Sequence, residues 1–404
     1  MKNKIKNIFR KIRKHKREKN IVKHSLRFLL YLLSRLFITI IVKRNLKFMC
    51  NLLRLLTSSS KYSKKRILGI YDLKTLPWGI GDPLLFIEKL STLKIIHDAD
   101  KIDFCVIYDN KNPTGYRREP NINTNNAQDY MVDLLPLFNT CPYLGSIFQF
   151  SSRKEFNIFL KNNITRYDFY PSLRKNLDES YNFQGHGIVL MKEFEDFFNE
   201  YNYIPHLRIG ERDRSWAYWF YQNYLPNNTV PVVLSLRRPL SMISRERNAD
   251  PKVWLAFIDK CKEVYKDVTF VIVGLRIEVF QGLRERSNVV IAKDYGTSII
   301  QDLALMRLSY FYMGTASGPG IIAQFSDLPY LIFQMPQIER YGLSEEKNYS
   351  FATENQKLFS TNISVTPELL YGEFSKLCEK LDRNKWKEEI KNASTNKELP
   401  STDD

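Results

Sequence analysis

Residues 311–333, FYMGTASGPGIIAQFSDLPYLIF, bring Gly314, Gly318 and Gly320 together with the hydroxyls of Thr315 and Ser317. The cluster follows one apolar run that reads as a strand and opens another that reads as a helix. Glycines at such a place remove Cβ atoms where a ligand must come close. The N–H groups and dipole at a helix start favour an anion, and a phosphate fits that chemistry. Thr315 and Ser317 supply hydroxyls that can bond the ligand or cap the helix, and Pro319 suits its first turn. A second phosphate-seeking group lies in PVVLSLRRP and the residues after it, where Arg237, Arg238, Arg245 and Arg247 fall within eleven residues. Their guanidinium forks match phosphate oxygens. The plain alternatives are a ligand-free strand-to-helix turn for the first group and a solvated loop for the second.

Carboxylates and one histidine complete the inventory. TLPWGIGDP places Asp82 after a strand-like run and before a helix-like one, where it would either face a cleft or cap the helix. Asp294 follows a strand and is a candidate for a ribose or base-edge contact, whereas Asp302 reads as serving the first turns of its helix. His186 in GHG is a candidate base in the cleft, though a histidine between glycines more often marks a loop. HDADKID at 97–103 contains an Asp-X-Asp pair of metal-ligating type, but between a helix and a strand it reads as a turn. No cluster has convincing metal-ligand spacing, so the expected chemistry is metal-independent and uses no cofactor.

These groups need a frame, and the alternation of elements supplies one. RILGIYDL (66–73), the loop TLPWGIGDP, the helical LLFIEKLSTLKIIH and the strand KIDFCVIYD (101–109) begin a parallel βαβ sheet. A long polar loop fills 110–127, and further alternation runs to about residue 204. In the second half PVVLSLRRP (231–239), VTFVIVG (268–274), NVVIAKD (288–294), YFYMG (310–314) and PYLIF (329–333) read as five strands alternating with helices. One helix at 366–390 and a polar tail of disordered composition close the chain. The expectation is an α/β protein of two doubly wound, Rossmann-like domains, 66–204 and 205–365, facing each other across a cleft. Residues 1–65 and 366–404 flank them. Doubly wound sheets take ligands beyond the carboxyl ends of their strands.

The net charge of +17 is an N-terminal property. Residues 1–66 hold 21 Lys/Arg and one acid, Glu18, while the other 338 residues hold 40 bases and 43 acids. A basic run precedes FLLYLLSRLFITIIV at 28–42, which has Arg35 at its centre and basic residues on both flanks. A cleaved signal peptide fits badly. Fifteen residues of helix reach about 22 Å, short of the ~30 Å hydrocarbon core. The segment therefore reads as an interfacial amphipathic helix on an anionic membrane surface, with a single span as the alternative, and SSSKYSKK at 58–65 as a linker. A nucleic-acid arm has no need of so much Leu, Phe and Ile. Five scattered cysteines without CxxC spacing point to a reducing compartment and no zinc site.

The order PHL…ER…W, PVVLSLRRP…SRERNADPKVWLAFI, VTFVIVG, SIIQDLALM and YFYMGTASGPGIIAQFSDLPYLIF resembles the nucleotide-sugar-binding domain of GT-B glycosyltransferases. It resembles in particular the heptosyltransferase-like group of lipopolysaccharide assembly. The resemblance covers about 66–335 in architecture and 205–335 in pattern. Heptosyltransferases carry a Gly-Asp after their first strand whose Asp is the catalytic base, and Gly81-Asp82 stands at the matching place. The resemblance implies that Asp82 takes the acceptor's proton and that Gly81 and His186 border the acceptor. It implies that Arg237, Arg245, Asp294, Gly314, Thr315, Ser317 and Gly318 hold the donor, with Arg and helix-dipole charge stabilising the leaving diphosphate. The chain departs from the group in two places. LKTLPW is inserted before GIGD, and GTASGPG occupies the place of Asp-Thr-Gly…His without the His, so the heptose donor does not carry over. The implied activity is an inverting, metal-independent transfer from a nucleotide-sugar donor to a lipid-linked or cell-envelope saccharide acceptor. It would act at the cytoplasmic face of the inner or plasma membrane, without nucleic acid. A nucleotide-sugar epimerase on the same fold and a non-catalytic membrane scaffold stand as rival classes.

Overall fold

The computed structural model describes residues 65–74, 76, 79–108, 123, 125, 127–170, 183–238, 245–336 and 348–395. The membrane-directed segment 28–42, residues 58–64 of its linker and the end of the polar tail lie outside the described residues. No described helix is long and apolar enough to cross a membrane.

Two parallel sheets form the frame. The first contains β1 (Arg66–Asp72), β2 (Ile102–Ile107), β3 (Leu144–Phe150) and β4 (Tyr167–Tyr170), in the order β3-β2-β1-β4. Its helices are α1 (Gly81–Ile96), α2 (Ala127–Leu134), α3 (Arg153–Asn163) and α4 (Phe183–Tyr201). The second contains β5 (Val230–Ser235), β6 (Val268–Val273), β7 (Val289–Ile291), β8 (Phe311–Thr315), β9 (Tyr330–Met335) and β10 (Gln356–Ser360), in the order β10-β9-β8-β5-β6-β7. Around it stand α5 (Glu211–Tyr224), α6 (Pro251–Val264), α7 (Ile299–Arg307), α8 (Gly320–Gln324), α9 (Pro367–Lys380) and α10 (Arg383–Thr395). Both sheets wind outward from a central strand, which places one reversal between β1 and β4 and another between β5 and β8. Those reversals are the natural ligand crevices of open α/β sheets.

Strand composition explains the layering. β1, β2, β5 and β6 are rich in branched and aromatic residues and are covered on both faces. Leu68 and Ile70 enter an outer cluster with Cys105, Ile107 and Phe156, while Ile67 and Tyr71 point the other way. Val232 and Leu234 likewise meet Trp254, Phe257 and Phe374 on the outer face of the second sheet, and Val233 turns inward. The inward-facing residues of both sheets share a single core with α1, α4, α7 and α8. Phe194 of α4 meets Phe325, just past α8, edge to face at 4.9 Å, so the two halves interlock through aromatic rings.

Helix starts follow their capping residues. Ser152, Asp250, Ser298 and Thr366 each accept a backbone N–H at the head of a helix, and Ser298 and Gln301 form a capping box. Three expectations need correction. The segment 366–390 is two helices, because Leu381 is extended and the Asp382 carboxylate restarts the chain by accepting the Asn384 and Lys385 N–H groups. The second sheet has six strands, the additional one being the short edge strand β10. GHG is helical, lying inside α4, and the His186 side chain falls outside the described residues.

One buried carboxylate ties the first sheet at its amino end. Asp103 of β2 is fully buried, pairs with Arg66 of β1 at 2.9 Å, and accepts the Ser146 N–H of β3 at 2.6 Å and the Tyr167 hydroxyl of β4 at 2.9 Å. Glu88 of α1 is the opposite case. It is wholly buried, neither carboxyl oxygen meets a hydrogen-bond partner, and desolvation pushes its pKa well above the ordinary value. The folded protein thus keeps a proton that the unfolded chain releases above the ordinary carboxylate pKa of 4.5, and stability falls as pH rises. Glu88→Gln removes that titration. Its stability relative to the parent is expected to grow as pH rises above the ordinary carboxylate pKa, by up to about 1.4 kcal/mol per unit. Urea unfolding at several pH values reads it, and parallel curves would show that Glu88 finds water or a partner.

Candidate functional site

The β5–β8 reversal is where the chemistry-bearing loops meet. Ser235 closes β5, and its hydroxyl stands 3.2 Å from that of Ser317 in the loop after β8. Beneath them lies the phenol of Tyr312, fully buried, with a pKa that desolvation pushes up to about 12 even though the two serine hydroxyls pull it down. Gly314 must be a glycine. A Cβ there would fall 2.4 Å from the Ser235 carbonyl oxygen and 2.8 Å from the Tyr312 hydroxyl.

The basic loop is stitched to the same strand ends. The Arg237 N–H donates to the Thr315 hydroxyl at 3.0 Å, and the Ala249 N–H donates to the Arg237 carbonyl at 3.0 Å. The Arg237 guanidinium donates to the Asn248 side-chain oxygen at 3.3 Å, and the Gln334 amide, at the end of β9, donates to the Asn248 carbonyl at 3.0 Å. Gln334 holds a left-handed backbone with φ of 56°, costly for a residue with a side chain and commonly kept where function needs it. Arg237 is half-buried; desolvation, and then the nearby Arg247 charge, lower its pKa. An anion arriving here would relieve both effects.

Each site residue named from the sequence has a definite place, apart from the His186 side chain. Gly314, Ser317, Gly318 and Arg237 gather at the reversal, and Arg245 opens the short 3₁₀ turn Arg245–Arg247 beside it, exposed. Thr315 is fully buried, so its hydroxyl holds Arg237 in place instead of meeting a ligand. Ser317 does not cap α8, whose N-cap position is Pro319 with no side-chain hydrogen bond. Asp294 follows the edge strand β7, three strand spacings or roughly 14 Å from β8. It is engaged by a bidentate Arg284 at 2.7 and 3.1 Å. Asp302 is buried and works between elements. It accepts the Gly274 N–H after β6 at 3.2 Å and the Thr297 hydroxyl at 2.5 Å, and pairs with Lys293 at 3.0 Å. HDAD is the expected turn, with Asp98 at φ of 46°.

The first half reaches this cluster through Gly81. A Cβ on Gly318 would stand 2.7 Å from the Gly81 nitrogen, and one on Gly81 would stand 3.0 Å from the Gly318 Cα. The two backbones therefore touch, and the start of α1 lies against the loop after β8. Asp82 occupies the first turn of α1, half-buried, where the helix dipole favours a carboxylate. Residues that sequence reasoning did not name are Ser235, Tyr312, Asn248, Gln334 and Glu278. Glu278 accepts the Leu275 N–H at 3.0 Å and lies 3.5 Å from the Arg238 N–H, which sets a carboxylate beside the ends of β5 and β6. Its signal was the Gly274 turn, whose φ of 115° makes room for that carboxylate.

No family model matches this chain, and neither does any curated protein. Among solved structures it is similar to the E. coli ADP-heptose lipopolysaccharide heptosyltransferase II, at 12% identity over 77% of this chain and 98% of that one, with a TM-score of 0.49. It is also similar to a glycosyl transferase family 9 protein from Veillonella parvula, at 12% identity over 78% and 97%, with a TM-score of 0.48. A third is the E. coli heptosyltransferase WaaC with ADP, at 12% identity over 77% and 99%, with a TM-score of 0.44.

The glycine contacts give a direct test of the site's geometry. Gly314→Ala and Gly318→Ala are each expected to lower stability by about 1–3 kcal/mol, because the new methyl meets backbone. Gly372→Ala, inside α9 with nothing within 4 Å of the added atom, should raise stability by about 0.5–1 kcal/mol. Equal effects at all three positions in denaturant unfolding would contradict the close contact at the reversal.

Proposed function

We propose that this chain is a glycosyltransferase that moves a sugar from a nucleotide-sugar donor to a cell-envelope acceptor. The observation that carries the reading is the Gly81–Gly318 contact, which sets the Asp82 helix start of one sheet against the glycine loop and arginines of the other. That arrangement suits a displacement at an anomeric carbon. The donor diphosphate would lie over Gly314, Ser317 and Gly318 within reach of Arg237 and Arg245. Asp82 would accept the proton of the attacking hydroxyl, and the arginines would balance the charge of the leaving diphosphate. Inversion follows the sequence resemblance, and metal independence is expected from the lack of metal-ligand spacing in the sequence.

The acceptor in this reading is lipid-linked or an envelope saccharide. Residues 1–65, with their basic and apolar composition, would keep the enzyme peripheral on the anionic cytoplasmic face of the membrane, where such an acceptor is found.

Thermal unfolding of the full chain against a panel of nucleoside diphosphates and nucleotide sugars tests the donor side. A ligand at about 100 times its Kd adds about 2.7 kcal/mol, a readable shift. Arg237→Ala should abolish the response. Asp82→Asn should keep it while lowering transfer by about 10²–10⁴-fold. A flat panel from a cooperatively folded chain would overturn the transferase reading in favour of a non-catalytic scaffold.

A further inference from the structure

We propose that a pocket at the amino ends of β3 and β8, lined by Arg208, Arg214 and Arg307, binds a phosphate group carried by a phospholipid headgroup or free in solution. The pocket measures about 470 Å³, within the range of small-ligand sites. It is separate from the glycine loop, which lies at the other end of β8, roughly 16 Å away. Its walls come from both halves. Pro142 stands just before β3, Tyr203, His206 and Arg208 belong to the segment joining the sheets, Arg214 projects from α5, and Arg307 ends α7.

Fixed backbone and uneven charge carry the proposal. The joining segment is held on two sides, by the Arg208 N–H on the Thr140 carbonyl at 2.8 Å and the Leu207 N–H on the Phe325 carbonyl at 3.1 Å. Arg208 is therefore presented from a set position and not from a free loop. No acid lines the pocket. Asp327 reaches Arg307 at 2.6 Å from outside the lining, and Glu211 comes only within 4.0 Å of Arg214. Arg208 is exposed, and among the described residues its guanidinium has no carboxylate partner. His206, half-buried, has its pKa lowered by desolvation, with the nearby Asp327 carboxylate pulling it up and the Arg307 charge pulling it down, and its ring offers an N–H donor to the pocket.

Arg307 is balanced by Asp327, so Arg208 and Arg214 supply the more open charge, and a dianion with several acceptor oxygens can engage both forks where a carboxylate satisfies one. Residues 1–65 have a basic and apolar composition that suits an anionic membrane surface. A membrane phosphate is thus one ready source, and inorganic or esterified phosphate in solution is the other.

The test uses the full chain with two probes, inorganic phosphate read by thermal unfolding, and phosphatidylcholine vesicles with or without phosphatidic acid read by co-sedimentation. Arg208→Glu should weaken the response by about tenfold or more in at least one arm, as expected for losing a charge-assisted contact. Lys262→Glu, the same change of charge on an exposed residue of α6 outside both sites, should leave that response in place. Dependence on Arg208 in the phosphate arm identifies a solution ligand, and dependence in the vesicle arm alone identifies a headgroup. Residues 1–65 are the same in every variant, so their membrane affinity cancels. If Arg208→Glu shifts the urea midpoint, Arg214→Gln takes its place with the same expectation. Responses within about twofold of the parent in both arms would overturn the proposal.

Discussion

Two glycine backbones in contact set the geometry on which the chemistry of this molecule depends. Gly81 and Gly318 meet with no room for a side chain on either. The contact brings the start of a long helix from one sheet onto a loop of the other. A Cβ at either position would push the two apart and take Asp82 away from the strand ends that gather Ser235, Ser317 and Arg237. The sheet orders make such a meeting available, because each sheet reverses direction beside its first strand and leaves a gap there.

Charge is treated differently at the two ends of the strands. At the amino end of the first sheet, Asp103 is fully buried but fully engaged, bonding one group from each neighbouring strand. Removing such a partner leaves an uncompensated charge in the interior, so the four strands are locked in register. At the carboxyl end of the second sheet, burial and then the nearby Arg247 charge depress the Arg237 pKa. Rigid, satisfied electrostatics at one end thus contrasts with close like charges at the other.

Much of this was legible in the sequence, and the reasons differ by residue. The central strands are long apolar runs and the helix heads carry Ser, Thr or Asp, so local rules find them. GTASGPG announces itself by its density of small residues. β10 escapes because its five residues, QKLFS, are mostly polar and lack the period-two alternation of a half-buried strand. The GHG segment reads locally as a loop because two glycines outweigh helical spacing, whereas its backbone is helical. Thr315 looked like a ligand hydroxyl, and only the tertiary structure shows that Arg237 claims it. Gln334 and Glu278 gather from distant strands, and no spacing in the chain predicts their approach to the arginine loop.

The shared core between the sheets bears on how such a protein can change over generations. Two Rossmann-like halves invite the idea of interchangeable cassettes, one choosing the donor and one the acceptor. Here Phe194 of one half and Phe325 of the other pack edge to face, and inward side chains of both sheets fill one continuous interior. A transplanted half would arrive with an ill-fitting interior and leave voids or clashes at the seam. The connections beyond the carboxyl ends of the strands are the places where length and composition can change without disturbing that seam.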